Sequence, residues 1–86
     1  MLIMPDEEKP YRVETDASNF AIGAVLSQKT SDNVWHPVEF YSRSMSPAER
    51  NYQIYDKEML AIREALQEWW QYLLGATSPT EVWSDH

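Results

Sequence analysis

Tyr11-Arg12-Val13-Glu14-Thr15-Asp16-Ala17-Ser18-Asn19 reads as a strand that ends on a carboxylate and runs into small, turn-forming residues. Val13 and Thr15 are β-branched and suit a pleated, half-buried surface. Arg12, Glu14 and Asp16 fall on the opposite parity, because side chains alternate between the two faces of a strand. Asp16 therefore need not enter the apolar core. It stands where the strand runs out, free to reach solvent, a metal or a phosphate from a rigidly held backbone. Taken alone, the same residues describe an Asx-type turn, so Asp16 gains meaning only if other acids join it.

Downstream, Phe20 to Gln28 alternates loosely through Ile22, Val25 and Leu26, with Gly23 inside the run. A glycine there marks a bulge or a close approach of another backbone or ligand. Lys29 to Asn33 is a polar loop, and Val34 to Ser42 returns antiparallel with Val38 and Phe40 on one face, which completes a three-stranded meander. Ser46, Pro47 and Glu49 then supply an N-cap, a first-turn proline and a capping box. From Tyr55 the helical period is strong: Tyr55, Met59, Ile62, Leu66, Trp69 and Leu73 form one apolar stripe that is expected to be the buried one, and Gly75 stops it. A kink near Gln53 is expected, since Asn51 to Tyr55 is the poorer helix former. Thr80 to Ser84 alternates again and ends in Asp85-His86.

Upstream, Met1 to Pro10 carries two prolines and the acidic cluster Asp6-Glu7-Glu8 after the apolar patch Leu2-Ile3-Met4, and reads as an N-terminal linker to a single domain over 11–86. The 86 residues, 43% hydrophobic, make one domain at most, and a domain this small buries only about 60 to 65% of its unfolded surface. With no cysteine, disulfides and thiolate metal sites are excluded, which fits a reducing compartment. No apolar run approaches the ~20 residues of a membrane span, and the N-terminus lacks the features of a signal peptide. A cytoplasmic or nuclear location is expected. Seven Lys and Arg against fourteen Asp and Glu give a net charge of −7, which argues against an autonomous nucleic-acid binder relying on counterion release.

Three acids occupy parallel places: Asp16 at the end of the first strand, Glu58 beside the helix stripe, and Asp85 at the end of the fourth strand. Glu58 by itself reads as part of a solvated helix face. If the fourth strand returns parallel beside the first through a helical crossover, Asp16 and Asp85 become neighbours and the helix lowers Glu58 towards them. Such a cluster repels itself unless a cation occupies it, and its hard oxygen ligands suit Mg²⁺ or Mn²⁺. His36 reads as a surface residue and His86, at a chain end, is given no role.

Thr15-Asp16-Ala17-Ser18, Ala21-Ile22-Gly23-Ala24-Val25-Leu26-Ser27-Gln28, His36-Pro37-Val38 with Phe40-Tyr41-Ser42, Glu49-Arg50-Asn51-Tyr52, Lys57-Glu58-Met59-Leu60-Ala61-Ile62 and Trp83-Ser84-Asp85-His86 together resemble the ribonuclease H domain of gypsy-type LTR retrotransposon reverse transcriptases. The resemblance runs from about Leu2 to the last residue and covers only the N-terminal part of that domain. It implies a truncated ribonuclease H-like α/β fold: a three-stranded antiparallel meander, a long helix, and a fourth strand parallel to the first. It implies hydrolysis of the RNA strand of an RNA/DNA hybrid, with Asp16, Glu58 and Asp85 similar to three of the four metal-binding acids. In the complete domain two ions activate a water and stabilise the leaving oxygen; without the fourth acid and its scaffold, weak or absent cleavage is expected.

On that resemblance Ser18, Asn19 and Gly23 lie where the backbone of a hybrid would approach, consistent with recognition by shape and 2′-hydroxyls. The basic surface that tracks substrate would belong to further segments or to the adjoining polymerase domain of the polyprotein. A non-catalytic remnant serving as an assembly module remains the alternative. Self-association is expected as well: the fourth strand is an edge without the family's fifth strand, and Leu60 and Leu74, with Trp70 at the margin, lie off the main helix stripe. A two-fold homodimer is the expected form, built on the helix, the fourth-strand edge, or an exchange of the segment after Gly75.

Overall fold

The computed structural model describes residues 4–6 and 8–85, Asp85 along its backbone alone. Leu2, Ile3, Glu7 and His86 of the sequence reading lie outside the described residues. Strand β1 (Tyr11–Ala17) keeps the expected parity: Tyr11, Val13 and Thr15 are buried, while Glu14 and Asp16 face solvent. Strand β2 (Ala21–Lys29) pairs antiparallel with β1, from Tyr11 opposite Gln28 to Ala17 opposite Ile22. The intervening turn is held by Ser18, whose backbone N–H donates to the Ala21 carbonyl at 2.9 Å and whose hydroxyl accepts from the N–H groups of Phe20 and Ala21. The turn chemistry is therefore serine's, not the Asx type.

Strand β3 (Trp35–Ser44) pairs antiparallel with β2 after a tight loop in which Asn33 takes a left-handed backbone, φ 64°, a conformation that Asn tolerates. The Asp32 carboxylate accepts from the Thr30 hydroxyl and the Val34 N–H, and stands 3.2 Å from His36 Nε2. His36 is thus the second residue of β3, paired with Gln28 and beside a loop acid. One expectation fails in β3. Val38 is buried but Phe40 is 62% exposed, because the register shifts between Leu26 and Ser27: Glu39 pairs with Leu26 and Pro37 with Ser27, leaving Val38 as the extra residue. Such a bulge reverses parity, so Val38 turns to the core and Phe40 to the open face.

Helix α1 (Pro47–Arg50) has the full capping box, with the Ser46 side chain on the Glu49 N–H and the Glu49 side chain on the Ser46 N–H. The chain breaks at 51–53, where the kink was expected, and resumes as α2 (Ile54–Glu68) and α3 (Trp70–Gly75) with a second bend at Trp69. Strand β4 (Glu81–Asp85) then lies parallel to β1, giving a four-stranded mixed sheet of order β3-β2-β1-β4. Among the described residues the outer edge of β4 is unpaired.

The buried face of α2 differs from the expected stripe. Lys57, Leu60, Ala61 and Ala65 are buried, followed by Trp69, whereas Tyr55 is 67% and Met59 47% exposed. Leu60 packs with Ile22, Met45 and Ala61; Ala65 and Trp69 join Tyr11, Val13, Ala24, Leu26 and Val38. Trp69 of the expected stripe is buried and Leu73 packs against the core, but over α2 itself the buried side lies roughly 150° round the helix from Tyr55, Met59, Ile62 and Leu66, at about 100° per residue. The two alanines explain it: with only a methyl each, they let the helix axis come close to the sheet, and the bulkier stripe would hold it away. Leu60 is consequently core, while Trp70 and Leu74 are exposed as expected.

Polar contacts tie the layers together. The Arg43 guanidinium donates to both Glu49 oxygens, at 2.9 and 3.2 Å, and to Glu64 at 2.7 Å, joining β3 to α1 and α2. The fully buried Gln28 amide accepts from the Asp6 N–H and donates to the Asp6 and Lys9 carbonyls, fastening the N-terminal segment to the sheet. On the open face, Arg12 lies between the rings of Trp35 and Trp83, 4.1 and 4.6 Å from their centroids. This bridge spans β3 to β4 over Ser27, the residue opposite Arg12, and accounts for the burial of that small polar side chain.

Candidate active site

Asp16 is the penultimate residue of β1, and in the parallel pairing of β1 with β4 its register partner is Asp85. Neighbouring strands lie about 4.8 Å apart, so the two backbone positions are brought together by the crossover. The Asp85 side chain itself lies outside the described residues. Among the described residues the Asp16 side chain makes no hydrogen bond or ion pair, its carboxylate being left unused because Ser18 supplies the turn. A solvent-facing, unspent acid at a rigid strand end is able to ligate a cation.

Glu58 follows the buried Lys57 in the second turn of α2 and is half-buried, at the border between the sheet-facing side and solvent. The helix packs over β1 and β2 and also touches β4, on the side of Val13 and Leu26, whereas Asp16 shares the parity of Arg12 and opens onto the groove on the other face; the described residues therefore do not bring Glu58 beside Asp16. Among the described residues, which omit the Asp85 side chain, no three acidic or imidazole side chains stand together as a metal-holding group. The donor set as a chemical inventory, carboxylates without thiolate or a nearby imidazole, suits a hard divalent cation.

Of the other candidates, Ser18 spends its hydroxyl on the turn and Asn19 sits exposed at the tip of that turn. Gly23 lies directly opposite Asp16. A Cβ added there would meet only the Tyr41 carbonyl, at 3.8 Å, an ordinary contact. Its backbone has no need of glycine; the missing side chain instead leaves an open groove beside Asp16, lined also by Val25, Phe40 and Ser42. Phe40 and Ser42 escaped the sequence reading because the bulge at Val38 decides which β3 side chains face this groove. The register itself, Gly23 opposite Ser42, would have found them. Near the turn, the Arg50 guanidinium lies 5.6 Å from the Phe20 ring centroid, which sets a cation close to Asn19.

The profile of the RNase H-like domain found in reverse transcriptase matches residues 1–82. This chain belongs to that family. The match ends before Asp85. Relatives include the Tf2-3 and Tf2-4 transposon polyproteins of Schizosaccharomyces pombe, each 48% identical over 81 residues, which is 94% of this chain and 6% of the polyprotein. The RNase H-like chain therefore spans a small fraction of the length of the curated relatives it matches. In fold it is similar to the foamy viral protease-reverse transcriptase in complex with dsDNA, TM-score 0.80 at 22% identity over 96% of this chain and 16% of that one. A second structure of the foamy viral protein, in complex with RNA/DNA hybrid, gives TM-score 0.74 at the same identity over 11% of its chain. The mixed sheet, with β1 parallel to β4 and a helical crossover between β3 and β4, is thus a shared RNase H-like arrangement.

Proposed function

We propose that this RNase H-like domain serves a retroelement reverse transcriptase as its ribonuclease H module, hydrolysing the RNA strand of RNA/DNA hybrids inside the cell. Asp16, Glu58 and Asp85 would hold Mg²⁺ or Mn²⁺. The observation that carries the reading is the Asp16 carboxylate, without a partner among the described residues, in parallel register with Asp85. Bound divalent cations supply an activated water and charge stabilisation at the leaving oxygen. The chain's own residues would supply the frame: β1 and β4 set the backbones of two acids on adjacent strands, α2 would have to deliver the third, and Gly23 keeps the approach to Asp16 open. Ser18 holds the turn that ends β1, so the Asp16 backbone is set before any ligand arrives.

The 86 residues carry three of the four acids that the resemblance implies. Assayed alone they should cleave feebly, since misplacing reacting groups by ~1 Å costs on the order of 10²-fold. Hybrid cleavage in Mg²⁺ or Mn²⁺, with Asp16→Asn as control, tests the proposal: residual cleavage that the substitution abolishes supports it. Turnover that survives Asp16→Asn assigns the chemistry elsewhere. A second reading is that the chain works by assembly, as a homodimer, and the exposed apolar side chains of Tyr55, Met59, Trp70 and Leu74 favour it. Sedimentation in the micromolar range tests that reading, and a folded monomer throughout would end it.

A further inference from the structure

Outside its buried face α2 carries a second apolar strip. Tyr55 and Met59 are exposed, and Ile62 and Leu66 are half-buried beside them. Tyr55 and Ile62 are seven residues apart, as are Met59 and Leu66, so the four occupy the two seam positions of a heptad. A pair of charged side chains, Asp56 and Arg63, borders a groove lined by Met59, Ile62 and Leu66 of this strip together with Tyr52 and Leu60. They too are seven apart, about two helical turns, and so stand along one edge of the strip. Neither side chain has an ion pair or hydrogen bond among the described residues.

We infer that α2 packs antiparallel against α2 of a second copy of this chain, across a two-fold axis level with Met59 and Leu60, so that Asp56 of each copy meets Arg63 of the other. This rests on the self-association reading above and specifies its geometry. A two-fold interface must be self-complementary, residue i meeting j as j meets i. Opposite charges equally displaced to either side of one point on a single helix edge meet that condition, because antiparallel two-fold packing brings the same edge of both helices together; parallel in-register pairing would put that edge on opposite sides of the seam and leave these charges unmatched. The apolar strip runs beside the two charge pairs, the arrangement of a buried seam with an outer row of charges along one edge that fixes orientation. Because each copy carries a net charge of −7, association has to overcome mutual repulsion, and the two local attractions oppose it where the helices touch.

The test is sedimentation equilibrium on the intact chain and on Asp56→Arg, Arg63→Asp, their equimolar mixture and the double variant. Each single substitution sets like charges against each other twice and should weaken the dimer about tenfold. The mixture and the double variant restore both opposite-charge pairs and should return to near the original affinity, which also shows that the single variants had not simply unfolded. Two results overturn the inference in distinguishable ways. A parent chain that stays monomeric at every concentration removes self-association itself and leaves the strip to another protein. A dimer indifferent to the charge changes keeps self-association but not this geometry.

Discussion

Leu60→Ala and Met59→Ala are adjacent substitutions on one helix, and the orientation of α2 assigns them opposite consequences. Leu60 is 5% exposed and packs against Ile22, Met45 and Ala61; Met59 is 47% exposed on the far side. Truncating a buried leucine forfeits its transfer free energy and leaves a cavity, together about 2–5 kcal/mol. A domain of 86 residues holds roughly 4–13 kcal/mol in total, at about 0.05–0.15 kcal/mol per residue. Taking ~3 kcal/mol for Leu60→Ala and about 4–8 °C of melting temperature per kcal/mol, the transition should fall by roughly 12–24 °C. For Met59→Ala the loss should stay under ~1 kcal/mol, a few degrees. Thermal melts by circular dichroism, on protein dilute enough to be monomeric, compare the two directly. If Met59→Ala proves the more damaging, the buried stripe is the one that simple periodicity favours, and the α2 packing described above is wrong.

Acid should weaken the Arg43 junction. Hydrogen bonds from Arg43, then from the Ser46 N–H, hold the Glu49 carboxyl down at about 2 against an ordinary 4.5. A depressed folded-state pKa contributes stability that is present above 4.5 and is lost as pH falls from there towards 2. Arg43→Gln should therefore flatten the acid limb of the stability profile, and an unchanged limb would refute the assignment. At the alkaline end, the hydrogen bond that Tyr72 donates to Glu39 raises the phenol above 10.0, so its contribution holds below that pH and fades as pH rises through the raised value. Tyr72→Phe should cost about 1 kcal/mol near neutrality and remove that alkaline loss, as urea titration across pH would show. Gly23→Ala should raise stability by about 0.5–1 kcal/mol, since the added Cβ meets no obstacle. A drop in melting temperature would mean the strand needs glycine there.

How much was legible in the sequence follows from which rules act locally. The parity of β1, the capping box at Ser46 and Glu49, and the break near Gln53 are decided by a few adjacent residues, and the structure has them where the letters put them. The helix face was not legible, because α2 is apolar on both sides and its buried face includes a lysine, Lys57. Two small alanines, Ala61 and Ala65, chose the face through the closeness of packing they permit, and apolar periodicity does not count them. The bulge at Val38 was hidden for a similar reason: an extra residue is defined by the partner strand, so Phe40 and its place beside Gly23 appear only once β2 and β3 are in register. At the candidate site, Asp16 and Asp85 became neighbours through the parallel pairing of strands far apart in sequence, a step supplied by topology. The availability of Asp16 depended on a detail one turn away, the use of Ser18 to hold the backbone.

The central claim, that Asp16, Glu58 and Asp85 form one cation site, is met most directly by Mn²⁺ titration of the isotopically labelled chain. Paramagnetic broadening falls steeply with distance from the ion, so it reports position independently of turnover. The account predicts early, saturable broadening of the amide signals around Asp16, Glu58 and Asp85 together, competed by Mg²⁺ and lost in Asp16→Asn. Broadening confined to other acids, or spread evenly over the acidic surface and indifferent to Asp16→Asn, would contradict it.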